Sequence, residues 1–195
     1  MADEQNFQIK WAPGFSPIQK KKNIVSLHNE AKRHGISSIL EISSKSDELV
    51  GKRLSAFSLK ITLESKKYPL ESVYQGCKVF EQGGPFSQIF NLSPRDAKKY
   101  IQSLDCGRLK EFSLLGKSYP TSPKNAFYDW LYIRSLEEHA DWIKEKIKYS
   151  AFTDIEFNPK KQVNCQARAF AEYISLLKRN KLSEAASDVR ILALC

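Results

Sequence analysis

Long apolar runs are missing from this chain of 195 residues. None approaches the roughly 20 consecutive apolar residues that a membrane-spanning helix needs. The opening segment, Met1-Ala2-Asp3-Glu4-Gln5-Asn6, is polar and acidic and lacks the apolar stretch of a secretory leader. Together these absences predict a cytoplasmic location and no membrane partner. Paired cysteines are missing too. Cys77, Cys106, Cys165 and Cys195 are scattered with no C-x-x-C pair, and His28, His34 and His139 lie far from them in sequence. That spacing argues against zinc and, in a reducing compartment, against a disulfide framework. The thiols read as small half-buried residues, the histidines as surface groups, and no metal or cofactor is expected. A Gly-rich phosphate loop, a Ser-His-Asp order and an H-E-x-x-H motif are absent as well.

What is present reads as one ordinary globular domain. At 42% hydrophobic and 27% charged residues, the composition supports a packed core rather than a disordered chain. No repeat, low-complexity tract or linker divides it. A single domain over residues 1–195 is therefore expected, with residues 1–15 as a candidate flexible extension. The formal net charge is +9, and basic runs recur at Lys20-Lys21-Lys22, Lys66-Lys67, Lys98-Lys99, Lys160-Lys161 and Lys178-Arg179. Any one run reads as a solvated surface. Their sum favours a polyanionic partner or substrate.

Local signals predict a helix-dominated α+β fold with a few short strands. Ser16-Pro17 caps a helix with Ile18, Val25 and Leu27 on its apolar side, closed by Gly35. Strands are predicted over Ile36–Ile42, Leu54–Leu63 and Leu109–Leu115. Pro69 leads into a helix over Glu71–Glu81, broken by Gly83-Gly84-Pro85, and Ser93-Pro94 starts another. Further helices are predicted near Pro123–Leu136, Glu138–Lys148, from Asn164 onward, and Ser183–Leu194.

Two segments could carry chemistry. On a continuous helix Glu71, Gln75 and Lys78 share one face with Tyr74 at its edge, and Val73, Cys77 and Phe80 share the opposite face. A solvent face with spaced charges is the commoner meaning of such a stripe. The second segment runs from Ala151 to Arg168. Asp154 and Glu156 fall in a loop that enters a helix offering Asn164, Gln166 and Arg168 in its first turns. Free amides there would suit a phosphate; a plain turn with an Asn164 cap explains the pattern equally well.

These strings also resemble a known family. Leu54-Ser55-Ala56-Phe57, Tyr68-Pro69-Leu70-Glu71 and Tyr74-Gln75-Gly76-Cys77-Lys78-Val79-Phe80 resemble the L-S-N-F, E-H, Y/F-Q and K-F elements of the NADAR superfamily. Ser93-Pro94-Arg95-Asp96-Ala97-Lys98 is similar to its P-x-E-A-K helix, and Asn164-Cys165-Gln166-Ala167-Arg168 to its N-x-L-G helix start. The longer match is to the NADAR branch encoded beside DarT-type ADP-ribosyltransferase toxins. Its marks are Trp11-Ala12-Pro13-Gly14-Phe15, Leu40 to Ser46, Lys78 to Pro85, Ala126 to Ile133 and Ala151 to Arg168. The chain departs from the general family at Ala56 and Ser72, which replace Asn and His, and at Phe152-Thr153-Asp154-Ile155, which stands where W-G-x-G is usual.

The resemblance implies a YbiA-like α+β single domain that removes ADP-ribose from guanine bases of DNA, as antitoxin to a DarT-type toxin. Single-stranded DNA or a nucleoside would be the substrate, and ADP-ribose the product. The catalytic candidates it implies are Glu71, as proton donor or base, and Lys78, as Schiff-base amine or phosphate ligand. Arg95, Lys98 and the Asn164 helix start are candidates for the pyrophosphate. Ser55, Phe57, Tyr74, Gln75, Asp154, Glu156 and Arg168 complete the substrate-binding set. Two other readings compete. One is an N-glycosidase of a ribosylamino intermediate of riboflavin synthesis. The other is a non-enzymatic protein that binds the toxin or nucleic acid.

Overall fold

The computed structural model describes residues 2–14, 16–160 and 162–187. Phe15, Lys161, Cys195 and the part of the predicted Ser183–Leu194 helix beyond residue 187 lie outside the described residues. In chain order the elements are α1 (Pro17–Arg33), β1 (Ile39–Glu41), α2 (Leu49–Arg53), β2 (Lys60–Leu63), β3 (Lys66–Pro69), α3 (Leu70–Gly76), β4 (Lys78–Phe80), a 3-10 turn (Ser87–Ile89) and α4 (Pro94–Gln102). There follow β5 (Leu109–Leu114), β6 (Lys117–Tyr119), α5 (Ala126–Glu137), α6 (Ala140–Lys146), β7 (Ala151–Thr153), α7 (Gln166–Lys178) and α8 (Leu182–Ser187). This is an α+β fold rich in helix, with short strands in three small sheets among the described residues. No helix among the described residues is long and apolar enough to cross a membrane.

The helix starts follow from local chemistry. Ser16 Oγ accepts from Gln19 N at 3.3 Å and Ser93 Oγ from Asp96 N at 3.2 Å, each with a proline just inside the helix. On α1 the inward face differs from the expected one. Ile18 and Val25 are exposed, while Asn23, Ile24 and Ala31 are buried. The polar Asn23 belongs inside because its amide meets both backbone groups of Ala12, accepting at 2.7 Å and donating at 3.0 Å. Those bonds and the Phe7–His34 ring contact hold the N-terminal segment against α1, and Ala2 N donates to Glu172 of α7.

The core gathers around α5. Ten of its residues are buried, with Phe127, Leu131, Tyr132 and Ile133 at the centre against α7, α3 and β2. A helix covered on all sides loses its amphipathic pattern, and α5 is apolar nearly all round. Its two buried polar residues, Asp129 and Ser135, are both hydrogen-bonded. The parallel pair β1–β7 brings residues 39–41 beside residues 151–153, so the second chemical segment joins the core edge. Cys77 and Cys165 are fully buried rather than half-buried; Cys106 is the half-buried one.

The predicted helix over Glu71–Glu81 is shorter than its pattern. α3 ends at Gly76, and Lys78 opens β4 instead. The cause is tertiary. Phe86 N donates to Gly76 O at 2.6 Å and Ser113 N to Cys77 O at 2.7 Å, so the backbone is captured by neighbours before another helical turn forms. Only glycine fits at position 76, where a Cβ would lie 2.6 Å from the Phe90 ring. β4 then pairs antiparallel with β5, Lys78 opposite Phe112. The strand predicted over Leu54–Leu63 is likewise shorter, because residues 54–58 turn and only β2 is extended.

Candidate active site

α3 presents Glu71, Tyr74 and Gln75, and the first residue of β4 returns Lys78 to the same place. Helical spacing is therefore not what pairs Glu71 with Lys78; the helix-to-strand turn is. Lys78 Nζ donates to Gln75 Oε1 at 2.7 Å and lies 5.1 Å from the centre of the Tyr74 ring. Tyr128 Oη, from α5, donates to Glu71 Oε1 at 3.2 Å. Close approach of backbone fixes the strand as well. At Gly84, with φ +104°, a Cβ would sit 2.3 Å from Lys78 O.

The electrostatics of this cluster are unusual. Burial raises the Glu71 carboxyl above the ordinary carboxylate range, against the hydrogen bond from Tyr128 and the positive charges of Lys98 and Lys78. Burial lowers Lys78 to about 8, opposed by the Glu71 charge and reinforced by Lys98. Glu71 and Lys78 are partly covered as residues while their charged tips are desolvated. A carboxyl that keeps its proton longer and an amine that loses its proton sooner are brought closer in proton affinity, which favours exchange between them. Lys98 is exposed on α4 yet close enough for its charge to act on both.

A second group of polar residues braces the surroundings. Gln166, at the start of α7, accepts through Oε1 from Ser55 Oγ at 3.0 Å and Ala56 N at 2.7 Å. Its own N and Nε2 each donate to Asp154 Oδ2 at 3.1 Å. Asp154 thus occupies the α7 start that was expected to offer free amides to a phosphate. Burial raises Asp154 to about 6, and those bonds from Gln166 hold it back. Arg168 Nη2 donates to Asp129 Oδ2 at 3.0 Å, and Asp129 still rises to about 6 through burial. Asn164 hydrogen-bonds the Tyr74 hydroxyl, which burial pushes up to about 12.

Of the expected residues, Glu71, Tyr74, Gln75, Lys78 and Lys98 converge. Asn164 joins them through Tyr74, and Asp129, the partner of Arg168, acts on Tyr74 through its charge. Ser55 is buried as part of the Gln166 brace. Phe57 is half exposed, and Arg95 is exposed on α4. Glu156 pairs with Lys20 Nζ at 3.0 Å. Reading the sequence missed Tyr128, Asp129 and the role of Gln166. The available signal was a single Asp within the otherwise apolar and aromatic Ala126-Phe127-Tyr128-Asp129-Trp130-Leu131 run, since an acid so placed must be paired. The histidines also differ from expectation. His34 is exposed, but His28 is half-buried with Nε2 2.9 Å from Thr153 Oγ1, and His139 is half-buried.

A family model described as DarT1-associated NADAR antitoxin matches residues 1–193. The chain belongs to that family. No curated protein matches it. Membership spans nearly the whole sequence, so it covers both segments singled out above, and it makes the chain an antitoxin associated with a DarT-type toxin.

Proposed function

We propose that this antitoxin is a hydrolase that removes ADP-ribose from guanine bases of DNA, with Glu71 and Lys78 carrying the chemistry. The observation behind the reading is the desolvated Glu71 carboxyl set beside two amines, Lys78 and Lys98, and bonded by Tyr128. Cleaving the bond between the anomeric carbon and the exocyclic nitrogen of guanine demands a proton on the departing nitrogen and activation of water. A carboxyl held above its ordinary range supplies the first and, once ionised, the second.

Lys78 offers a covalent route. In the ring-opened form of the sugar, the neutral Lys78 amine attacks the anomeric carbon and a C–N bond forms. The guanine nitrogen, an imine in that open form, takes one proton from Glu71 as Lys78 adds. The Lys78 nitrogen then returns a proton to Glu71, which passes it to the guanine nitrogen, and the guanine leaves as its free amine while Lys78 becomes a protonated imine. Water then adds to the Lys78 imine, the C–N bond breaks, and the aldehyde closes to ADP-ribose. One water is consumed and the chain is regenerated. Lys98 and Arg95 would take the pyrophosphate; the charge of Lys98 already reaches Glu71. Asn164 and Tyr74 would bound the sugar. A base inside a duplex cannot reach such a centre, so single-stranded or extruded DNA is the substrate form, and a net charge of +9 suits its backbone.

The test is gel mobility of an oligonucleotide carrying ADP-ribose on guanine. The purified chain should restore the unmodified mobility and release ADP-ribose, with or without a chelator. No shift under any condition would leave an antitoxin that acts by binding; loss of the shift with chelator would show a metal-dependent reaction.

A further inference from the structure

Glu71 and Lys78 are a buried acid and amine within reach of each other's charge, yet no ion pair among the described residues includes either. A carboxylate and an ammonium on long side chains, taken out of water, attract each other strongly and close to contact unless something holds them apart. Gln75 stands between these two. Its Oε1 accepts from Lys78 Nζ at 2.7 Å. The same side chain bonds Glu71, and because a carboxylate only accepts, the amide nitrogen is the donor. One amide therefore meets the acid with its donor end and the amine with its acceptor end. The fold fixes this arrangement. Glu71 and Gln75 lie four residues apart on one face of α3, and the turn after Gly76 returns Lys78 at the start of β4. Gln75 is only 6% exposed, so water competes little for its amide.

We propose that Gln75 is a positioning residue, an amide spacer that keeps Glu71 and Lys78 from collapsing into a direct ion pair and so leaves the amine able to act as a nucleophile. The nucleophilic part of this role rests on the glycohydrolase reading; the spacing does not. The difference between two acceptors carries the point. A carboxylate in contact with Lys78 strongly favours the ammonium form, since a bond between ionised partners is about twice as strong as one between neutral groups. An amide carbonyl accepts an N–H from the ammonium and from the neutral amine alike, and it leaves the lone pair of the neutral amine unused. The other groups facing Lys78 are Lys98 of α4, whose charge disfavours the ammonium, and the Tyr74 ring, 5.1 Å away, which favours it. Tyr128 of α5 bonds Glu71. Among the described residues, Gln75 is the one bonded to both the acid and the amine. Both ends of its amide are thus engaged within the chain, which sets Gln75 apart from a residue that binds substrate directly.

Carbon-13 NMR of the Lys78 Cε signal in the full chain, assigned by its loss in Lys78→Arg, follows the titration of this amine whether or not the chain turns over substrate. Gln75→Met keeps the length of the side chain and removes both polar ends. The Lys78 midpoint should rise from about 8 by roughly one pH unit or more, as an opposite charge at contact produces. Gln75→Glu keeps the shape and sets a carboxyl acceptor against Nζ, so it should raise the midpoint as well, and it serves if Gln75→Met does not fold. The Glu71→Gln background isolates the cause. With no acid to collapse onto, adding Gln75→Met should no longer raise the Lys78 midpoint, whereas a role in packing alone would change it alike in both backgrounds. In turnover of the modified oligonucleotide, Gln75→Met should lose about tenfold in kcat at pH 7 on the covalent route, with KM within about twofold. An unmoved midpoint in Gln75→Glu, an equal rise with and without Glu71, or a raised KM with kcat unchanged would overturn the spacer. A raised midpoint in a chain whose wild type cleaves nothing would sink the glycohydrolase reading alone, and cleavage with an unmoved midpoint would sink the spacer alone.

Discussion

Glu71 and Glu41 are both buried carboxylates with raised pKa values, and they differ in how they are satisfied. Glu41, at the end of β1, accepts from Thr153 Oγ1 at 2.6 Å and Ile155 N at 2.8 Å, with a further bond from Ser43. Its charge is surrounded by donors that tie β1 to β7 and the loop after it. Among the described residues Glu71 receives bonds from the side chains of Tyr128 and Gln75 and none from backbone, and it has two amines within electrostatic reach. Burial alone therefore does not mark a reactive carboxyl. Incomplete donation together with nearby amines of altered proton affinity does, because it leaves the group something to exchange with a substrate.

The largest expected effect separates the two acids. Glu71→Gln keeps the shape and removes the proton-carrying group, so turnover of modified DNA should fall by about 10² or more. Glu41→Gln should leave kcat within about twofold. A drop of comparable size in both would erase the distinction, and single-turnover assays on the two purified variants decide it.

Lys78 sharpens the comparison next, since among the described residues no amine acts on Glu41 as Lys78 acts on Glu71. Lys78→Arg keeps the positive charge but forms no imine. On the covalent route it should be as inactive as Lys78→Ala, and borohydride during turnover should trap ADP-ribose on Lys78 of the wild type, read by mass spectrometry. An active Lys78→Arg enzyme would leave direct hydrolysis by Glu71. With Lys78 lowered to about 8, the covalent route also makes the rate rise as pH climbs toward 8, because the neutral amine is the nucleophile.

How much of this was legible in the sequence depends on the range of the forces involved. The helix starts at Ser16 and Ser93 were readable because a cap and a proline act within one turn. The extent of α3 was not. Residues 77–80 continue an apolar periodicity, and only the distant Phe86 and Ser113 turn them into a strand. β7 was equally hidden, because a three-residue strand has no measurable period and its partner lies more than a hundred residues away. The Glu71 face was visible as spacing, while Tyr128 and Gln166 reach the site only through α5 and α7 packing.

pH-dependent stability gives a smaller, oppositely placed signal. Glu41 is raised from 4.5 to about 7, so the folded state favours its protonated form. Its contribution is fully present below pH 4.5 and is lost as pH rises through 7, by about 3 kcal/mol in all at 1.36 kcal/mol per pH unit. Denaturant titrations from pH 4.5 to 7.5 should show a shallower decline for Glu41→Gln than for the wild type, with both flat above that window as far as this group is concerned. Identical slopes would mean that Glu41 ionises in the folded chain as easily as in the unfolded one.

The finest comparison removes one hydroxyl from each acid. Tyr128→Phe deletes a donor to Glu71, and Thr153→Val deletes a donor to Glu41 together with the group that meets His28. Each donor favours the ionised form of its carboxylate, so each deletion should raise that acid's pKa further. For Tyr128→Phe the shift belongs to the reacting group. The limb of the kcat–pH profile that reports Glu71 should move upward, whether the acid or the base form is required, and stability should change by only about 1 kcal/mol. For Thr153→Val the profile should stay in place and the cost should appear as stability, also about 1 kcal/mol, because the buried Glu41 and the half-buried His28 each lose a partner. Movement of the kcat limb in Thr153→Val, or a fixed limb in Tyr128→Phe, would reverse the roles assigned to the two carboxylates.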